Sequence, residues 1–252
     1  MPLLELNDER DGLPMKYKTD LHCHTSEFSG CAHENAADTI EKYIKHGYTS
    51  IAMTNHFEWG RLNAPMEYRY RYDSYEEFVD KLYNSIEYIR DLAGDRINIL
   101  TGFELCHRDT DNDFLIYGLT RQMVHDFDFF FSPLEDVHDY VRDCGGVMIK
   151  AHPMRFGMVL INPHQVDGYE IYNSSKDALY LNPLAKLWVD TACGKDTIRT
   201  AGNDHHNPED IPTAGILTDK PITTDAELIR VLKEKDFEIF HPPMEVNYEY
   251  KE

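Results

Sequence analysis

The sequence predicts a single α/β domain with a parallel sheet, and three observations carry that reading. Short apolar, β-branched runs alternate with amphipathic stretches of helical period, helix-start signals precede several of those stretches, and metal-capable side chains follow the ends of the apolar runs. With 252 residues, 42% hydrophobic and 28% charged, the chain carries enough apolar material for one full core. No Pro/Gly/Ser-rich linker interrupts it, so residues 1–252 read as one domain.

In chain order, YKTDL (17–21) reads as the first buried strand. A helix over roughly 36–46 places Ile40, Tyr43 and Ile44 on one face and stops at Gly47. TSIAMT (49–54) is the second strand. Ser74 with Glu77 forms a capping box ahead of a helix over 75–92, whose Phe78, Val79, Leu82, Ile86 and Ile89 share a face before Gly94 ends it. Further strands are INILTGFE (97–104), FLIYGL (114–119), GVMIKA (146–151), GYEIY (168–172) and IRTAGN (198–203). Ser132 with Glu135 and Thr224 with Glu227 predict two more capped helices, and the run DFDFFFSPL (126–134) predicts core. Periodicity alone does not separate an open sheet from a closed barrel.

Composition narrows the function. A formal charge of -20 repels polyanions, and no basic stripe offers counterion release, so long nucleic acid is not an expected partner. Bound divalent cations would offset part of that acidity where a substrate phosphate sits. No apolar run reaches the ~20 residues of a membrane span, and MPLLELNDERDG has no signal-peptide pattern, so no membrane partner and a cytoplasmic protein are expected. Cys23, Cys31, Cys106, Cys144 and Cys193 include no CxxC and read as reduced thiols.

The chemistry gathers at strand ends. His22 and His24 follow the first strand, His56 the second, Glu104 closes the third, His152 follows GVMIKA, and Asp204, His205 and His206 follow IRTAGN. An α/β barrel builds its active site at that end of its strands. In HCH, alternation along an extended segment turns both imidazoles to one face, so two nitrogens can grip one metal.

Taken together, TDLHCHT, TNHFE, GFELCH, KAHPMR and GNDHHNPED, spread in order over residues 16–215, resemble the successive motifs of the PHP (polymerase and histidinol phosphatase) family. The resemblance implies a distorted TIM-like barrel, (βα)7, holding two or three divalent metals, commonly zinc, manganese or iron. Carried over position by position, it implies that His22, His24, Glu104 and Asp204 hold one metal. Glu104 would bridge to a second that His152 also binds, and His33, His56 and His206 would hold a third. The CAH at 31–33 resembles the equivalent segment of histidinol-phosphatase-like members, which favours His33 over the nearer Glu27. Asp113 aligns where many members place a further histidine for the second metal, and TNH stands in place of TDH, leaving a neutral Asn55 beside His56.

Such a set of nitrogen and oxygen donors suits hard to borderline ions, which acidify water; metals roughly 3.5–4 Å apart can share a hydroxide and present it in line to phosphorus. Arg155 is placed to hold a phosphate bidentately, and His205 or His206 to protonate the leaving oxygen. Asp20 is expected to orient a ligand histidine, and Glu170 and Asn173 to line the pocket or a solvated loop. The stretch 58–75, with Arg61, Arg69, Arg71 and several tyrosines, reads either as a substrate-contacting loop or as a packed loop. His46, His107, His125, His138, His164 and His241 read as ordinary histidines.

The function expected is hydrolysis of a small phosphorylated metabolite, a phosphomonoester, by a metal-bound hydroxide. Alternatives are a nucleotide phosphodiesterase or 3′ exonuclease, an amidohydrolase-type C–N hydrolase using Lys150, and a metal-binding barrel without turnover.

Overall fold

A computed structural model describes residues 16–58, 72–107, 112–175 and 181–244. Strand β1 (Tyr17–Cys23) is followed by α1 (Ala36–Lys45), β2 (Tyr48–Met53), the two-residue β3 (His56–Phe57) and α2 (Tyr75–Ala93). Next come β4 (Asn98–Cys106), β5 (Asp113–Tyr117), α3 (Arg121–His125), α4 (Leu134–Asp143) and β6 (Val147–Lys150). The chain continues through β7 (Gly168–Asn173), α5 (Asn182–Ala192), β8 (Ile198–Gly202), β9 (Gly215–Thr218), α6 (Asp225–Glu234) and β10 (Glu238–Phe240).

The strands form one sheet in the order β10-β9-β1-β2-β4-β5-β6-β7-β8, with β3 paired to β4. It curls until its ends nearly meet. β9 pairs with Tyr17–Thr19 at the start of β1, while the segment after β8 reaches the end of β1. There Asp204 N–H donates to His22 O (2.7 Å) and His24 N–H to His205 O (3.0 Å). The result is the expected distorted barrel of an α/β protein.

The sheet is not uniformly parallel, however: β5 runs antiparallel to both β4 and β6. Only residues 107–112 separate β4 from β5, too few for the helical crossover that a parallel pair requires. Sequence periodicity also missed β9 and β10, of four and three residues, and the helix α5.

Helix starts were read well where the cap is local. Ser74 accepts from Glu77 N–H, and Thr224 forms the full capping box with Glu227. The Ser132–Glu135 box does not form: Pro133 takes the N-cap position of α4, without a side-chain cap, and the helix begins at Leu134. Among the described residues three apolar clusters form, two of them large. One centres on Phe57, fully buried among Phe78, Phe103, Phe129 and Phe130. Of the 126–134 run, Phe129 and Phe130 are buried there as expected and Phe127 and Leu134 pack against the cluster, whereas Asp126, Asp128, Phe131 and Pro133 are exposed. The other joins Leu21, Leu100, Leu115 and Ile149 to Leu228 and Leu232 of α6. Among the described residues no helix is long and apolar enough to cross a membrane.

Candidate metal centre

The first strand runs to Cys23, past its apolar run, so His22 stands inside its end and not behind it. β1 carries His22, β4 carries Glu104, and Asp113 is the first residue of β5, fully inside the fold at 2% exposure and not on a loop. β3 pairs with β4 so that His56 lies opposite Glu104. His152 and Asp204 follow β6 and β8 with φ of +24° and +53°, conformations that cost an L-residue on the order of 1–3 kcal/mol. Hydrogen bonds hold both in place: Glu170 Oε2 accepts from His152 N–H (2.9 Å), and His22 O from Asp204 N–H (2.7 Å).

Three groups of donors result: His22, His24, Glu104 and Asp204; Glu104, Asp113 and His152; and His24, His56 and His206. Asp204 Oδ1 lies 3.3 Å from Nε2 of both His22 and His24. Glu104 Oε1 is 3.3 Å from His22 Nε2 and 3.1 Å from His152 Nε2, while its Oε2 is 3.3 Å from His24 Nε2 and 3.0 Å from His56 Nδ1. A single carboxylate thus touches all three groups.

Several of these atoms (His22 Nε2, His24 Nε2, His56 Nδ1 and Glu104 Oε2) are buried without a hydrogen-bond partner of sound geometry. Each such orphan costs about 1–3 kcal/mol in an apo protein. Lone-pair donors converging without protons to share are what a divalent cation satisfies, so the residues fit the implied ions. Charge agrees. Burial pushes Glu104 and Asp204 up, but His22 and neighbouring imidazoles outweigh it and hold both carboxyls well below the usual range. Burial together with His206 and His56 keeps His24 well below the ordinary histidine value, hence neutral. For His22, burial is overcome by Asp204, Glu104 and Glu170, which hold it well above; a bound cation would replace that proton.

An outer ring fixes these side chains. Glu170 Oε1 lies 3.1 Å from His22 Nδ1, leaving His22 Nε2 for the centre, and Asn173 Nδ2 donates to Glu170 Oε2 (2.8 Å) and Asp204 Oδ2 (3.2 Å). Both therefore support the site from β7 and neither belongs to a solvated loop. Asp20 accepts from Tyr43 Oη (2.5 Å) and from the backbone of His22 and Asn203 (3.2 and 3.1 Å); it holds main chain, not an imidazole. Asn55 Oδ1 accepts from Thr25 N–H and Ser29 Oγ–H, tying the segments after β1 and β2 together.

Gly202 marks how tightly this ring is packed. A Cβ there would lie 2.5 Å from His22 Cβ and 2.6 Å from Glu170 Oε1. Gly202→Ala is therefore expected to lose about 1–3 kcal/mol of stability. It should also weaken metal binding by about 10- to 100-fold, because the His22–Glu170 contact must open. Denaturant melts and metal titration of the variant check both.

Two candidates do not join the groups. The His33 side chain is exposed and lies outside every donor group among the described residues; instead its N–H donates to His206 O (2.7 Å). His205 is fully buried with Nε2 held by Glu34 Oε2 (2.5 Å), so of the two histidines considered as acid only His206 lines the mouth. The two side chains part directly after the left-handed Asp204, His205 into the fold and His206 to the mouth. Arg155 lines the mouth, donating to Asp113 Oδ2 (2.6 Å). Sequence reasoning passed over Cys31, which lines the same cavity; burial raises its thiol, but His56 and His206 prevail and bring it down to about 6. Arg61, Arg69 and Arg71 lie outside the described residues.

The model of one protein family, described as the PHP domain, matches residues 20–182. Three solved structures are similar, each 14% identical to this chain. A lesion-specific endonuclease of Pyrococcus furiosus aligns with a TM-score of 0.54 over 89% of this chain and 58% of its own. A Bifidobacterium adolescentis protein provisionally described as a metal-dependent phosphoesterase gives 0.43 over 87% and 97%, and a Chromobacterium violaceum amidohydrolase with bound sulfate and no metal gives 0.49 over 90% and 98%. This chain spans little more than half of the endonuclease. No curated protein matches it. At such identity the endonuclease demonstrates a shared fold.

Proposed function

Because the chain belongs to the PHP family, whose members are metal-dependent hydrolases acting on phosphate esters, we propose that it hydrolyses a small phosphomonoester with two or three divalent metals. The observation that carries this reading is Glu104, fully buried, whose two oxygens reach the donors of three adjacent groups. Ions held there, whether zinc, manganese or iron, would acidify water and neutralise charge on phosphoryl oxygens.

The chain's own residues do the rest. Glu104 and Asp204 stay ionised to receive cations, with His22, His24, His152, His56 and His206 as nitrogen donors and Asp113 as a further oxygen. Arg155, anchored on Asp113, keeps its remaining N–H groups for a phosphoryl oxygen at the cavity wall. The cavity, about 440 Å³, suits a metabolite-sized ligand, and the acidic chain disfavours a long polyanion. Lys150 does not favour C–N hydrolysis: its Nζ is taken up by the backbone carbonyls of Ala151 (2.9 Å) and Asp113 (3.3 Å), and Lys150 belongs to none of the donor groups.

The test is phosphate release by manganese- or zinc-loaded protein from a panel of mono- and diesters and oligonucleotides, with chelated and His152→Ala controls. Chelator-sensitive, His152-dependent release from small monoesters is expected. Preferential cleavage of diesters or oligonucleotides would move the substrate to nucleic acid, and turnover of amides alone would overturn the proposal.

A further inference from the structure

We propose that Arg155 couples cation binding to phosphate binding: its guanidinium blocks the Glu104, Asp113 and His152 group, and an oxyanion at the mouth draws it away and admits the cation. The inference rests on the metal-centre reading above and concerns how its second group fills. Arg155 Nη2 donates to Asp113 Oδ2 at 2.6 Å, and that same oxygen is the one 3.8 Å from His152 Nε2. A guanidinium thus holds the Asp113 oxygen that the group would offer a metal, and a cation seated there would confront a fixed positive charge. The other groups differ. Among the described residues, the ion-pair partners of Glu104 and Asp204 are histidines, which can give up a proton to make way. Arginine keeps its charge, so it has to move.

Of the two partners, Arg155 is the one free to do so. Asp113 opens β5 with its side chain 2% exposed, and its carbonyl accepts from Ala151 N–H (3.1 Å) and Lys150 Nζ (3.3 Å). Arg155 stands in the turn after β6 with its side chain 29% exposed, and lines the same cavity as Asp113 and His206. A phosphate in that cavity offers the guanidinium a bidentate anionic partner in place of the carboxylate. Asp113 Oδ2 is then released to the cation. Coupling of this kind is reciprocal, so each ligand raises the affinity for the other by the same factor.

Manganese binding to the full-length protein, followed by electron paramagnetic resonance, reads the coupling without turnover, with inorganic phosphate as the oxyanion probe. Phosphate is expected to tighten one cation by roughly 5- to 150-fold. Arg155→Met, and Arg155→Gln as its polar counterpart, should bind that cation tightly in phosphate-free buffer, with little further gain when phosphate is added. Asp113→Asn should lose the phosphate-linked cation and keep the others. A phosphate that tightened the cation merely by ligating it would leave the phosphate-free affinity of the Arg155 variants at the parent's value. That result overturns the role of Arg155 and leaves the metal centre standing, as does equal affinity of the parent with and without phosphate, or a phosphate-linked cation that survives Asp113→Asn. No manganese binding under any condition would overturn the metal centre itself.

Discussion

Glu104→Ala is expected to lower metal-dependent phosphate release by more than about 100-fold and to reduce the metal content of the protein while its fold persists. Loss of an outer partner of a ligand alone costs on the order of 10- to 100-fold in affinity or activity. Glu104 is a larger loss, because its Oε1 serves His22 and His152 and its Oε2 serves His24 and His56. Removing it also strips the centre of a buried negative charge, leaving His56 without the carboxylate that chiefly offsets its burial and His22 with Asp204 and Glu170 alone. Elemental analysis, circular dichroism and kcat/KM on one preparation decide the matter. Activity within about tenfold of the parent, with full metal content, would remove Glu104 from the centre.

The second large effect lies in the core. Phe57→Ala should destabilise the protein by about 3–5 kcal/mol, the range for emptying a fully buried aromatic site. Phe57 has no exposed surface and packs at 4.8 Å from Phe78 and Phe103 and at 5.2 Å from Phe130, centroid to centroid. At about 2–4 °C per kcal/mol for a chain of this size, the midpoint should fall by roughly 6–20 °C. Melts in chelator isolate the packing loss from metal linkage. A shift under about 3 °C would mean that the neighbouring rings collapse into the space. Phe57 follows His56 directly, so weakened binding at that group should accompany the lower midpoint.

Much of the centre could be read from residues whose roles depend on local geometry. His22 and His24 share a face because extended chain alternates, and Glu104, His152 and Asp204 stand at strand ends because barrels expose those ends together. What the sequence hid depends on long-range or backbone facts. The antiparallel β5, which turns Asp113 inward, follows from a connection too short for a helix, and the apolar run alone carries no direction. His205 and His206 are adjacent and chemically alike, and what separates them is the distant Glu34, which holds His205 inside the fold while His206 lines the mouth. Cys31 and His33 sit two apart, yet of the two Cys31 lines the mouth and His33 does not. Glu170 was visible as a strand-end carboxylate, yet its hold on both His22 and His152 required three strands to be in place.

The joining of the first strand to the segment after the eighth bears on how the molecule comes into being. His22 and His24 are made early, Glu104, Asp113 and His152 midway, and Asp204 only once four-fifths of the chain exists. During vectorial synthesis the early histidines therefore wait, paired with nothing that can complete a cation's coordination, until the last barrel strand docks against the first. Full metal capture is then a late event that reports closure of the ring, and a chain arrested before residue 204 would carry the Glu104, Asp113 and His152 group but lack the Asp204 and His206 that the other two require.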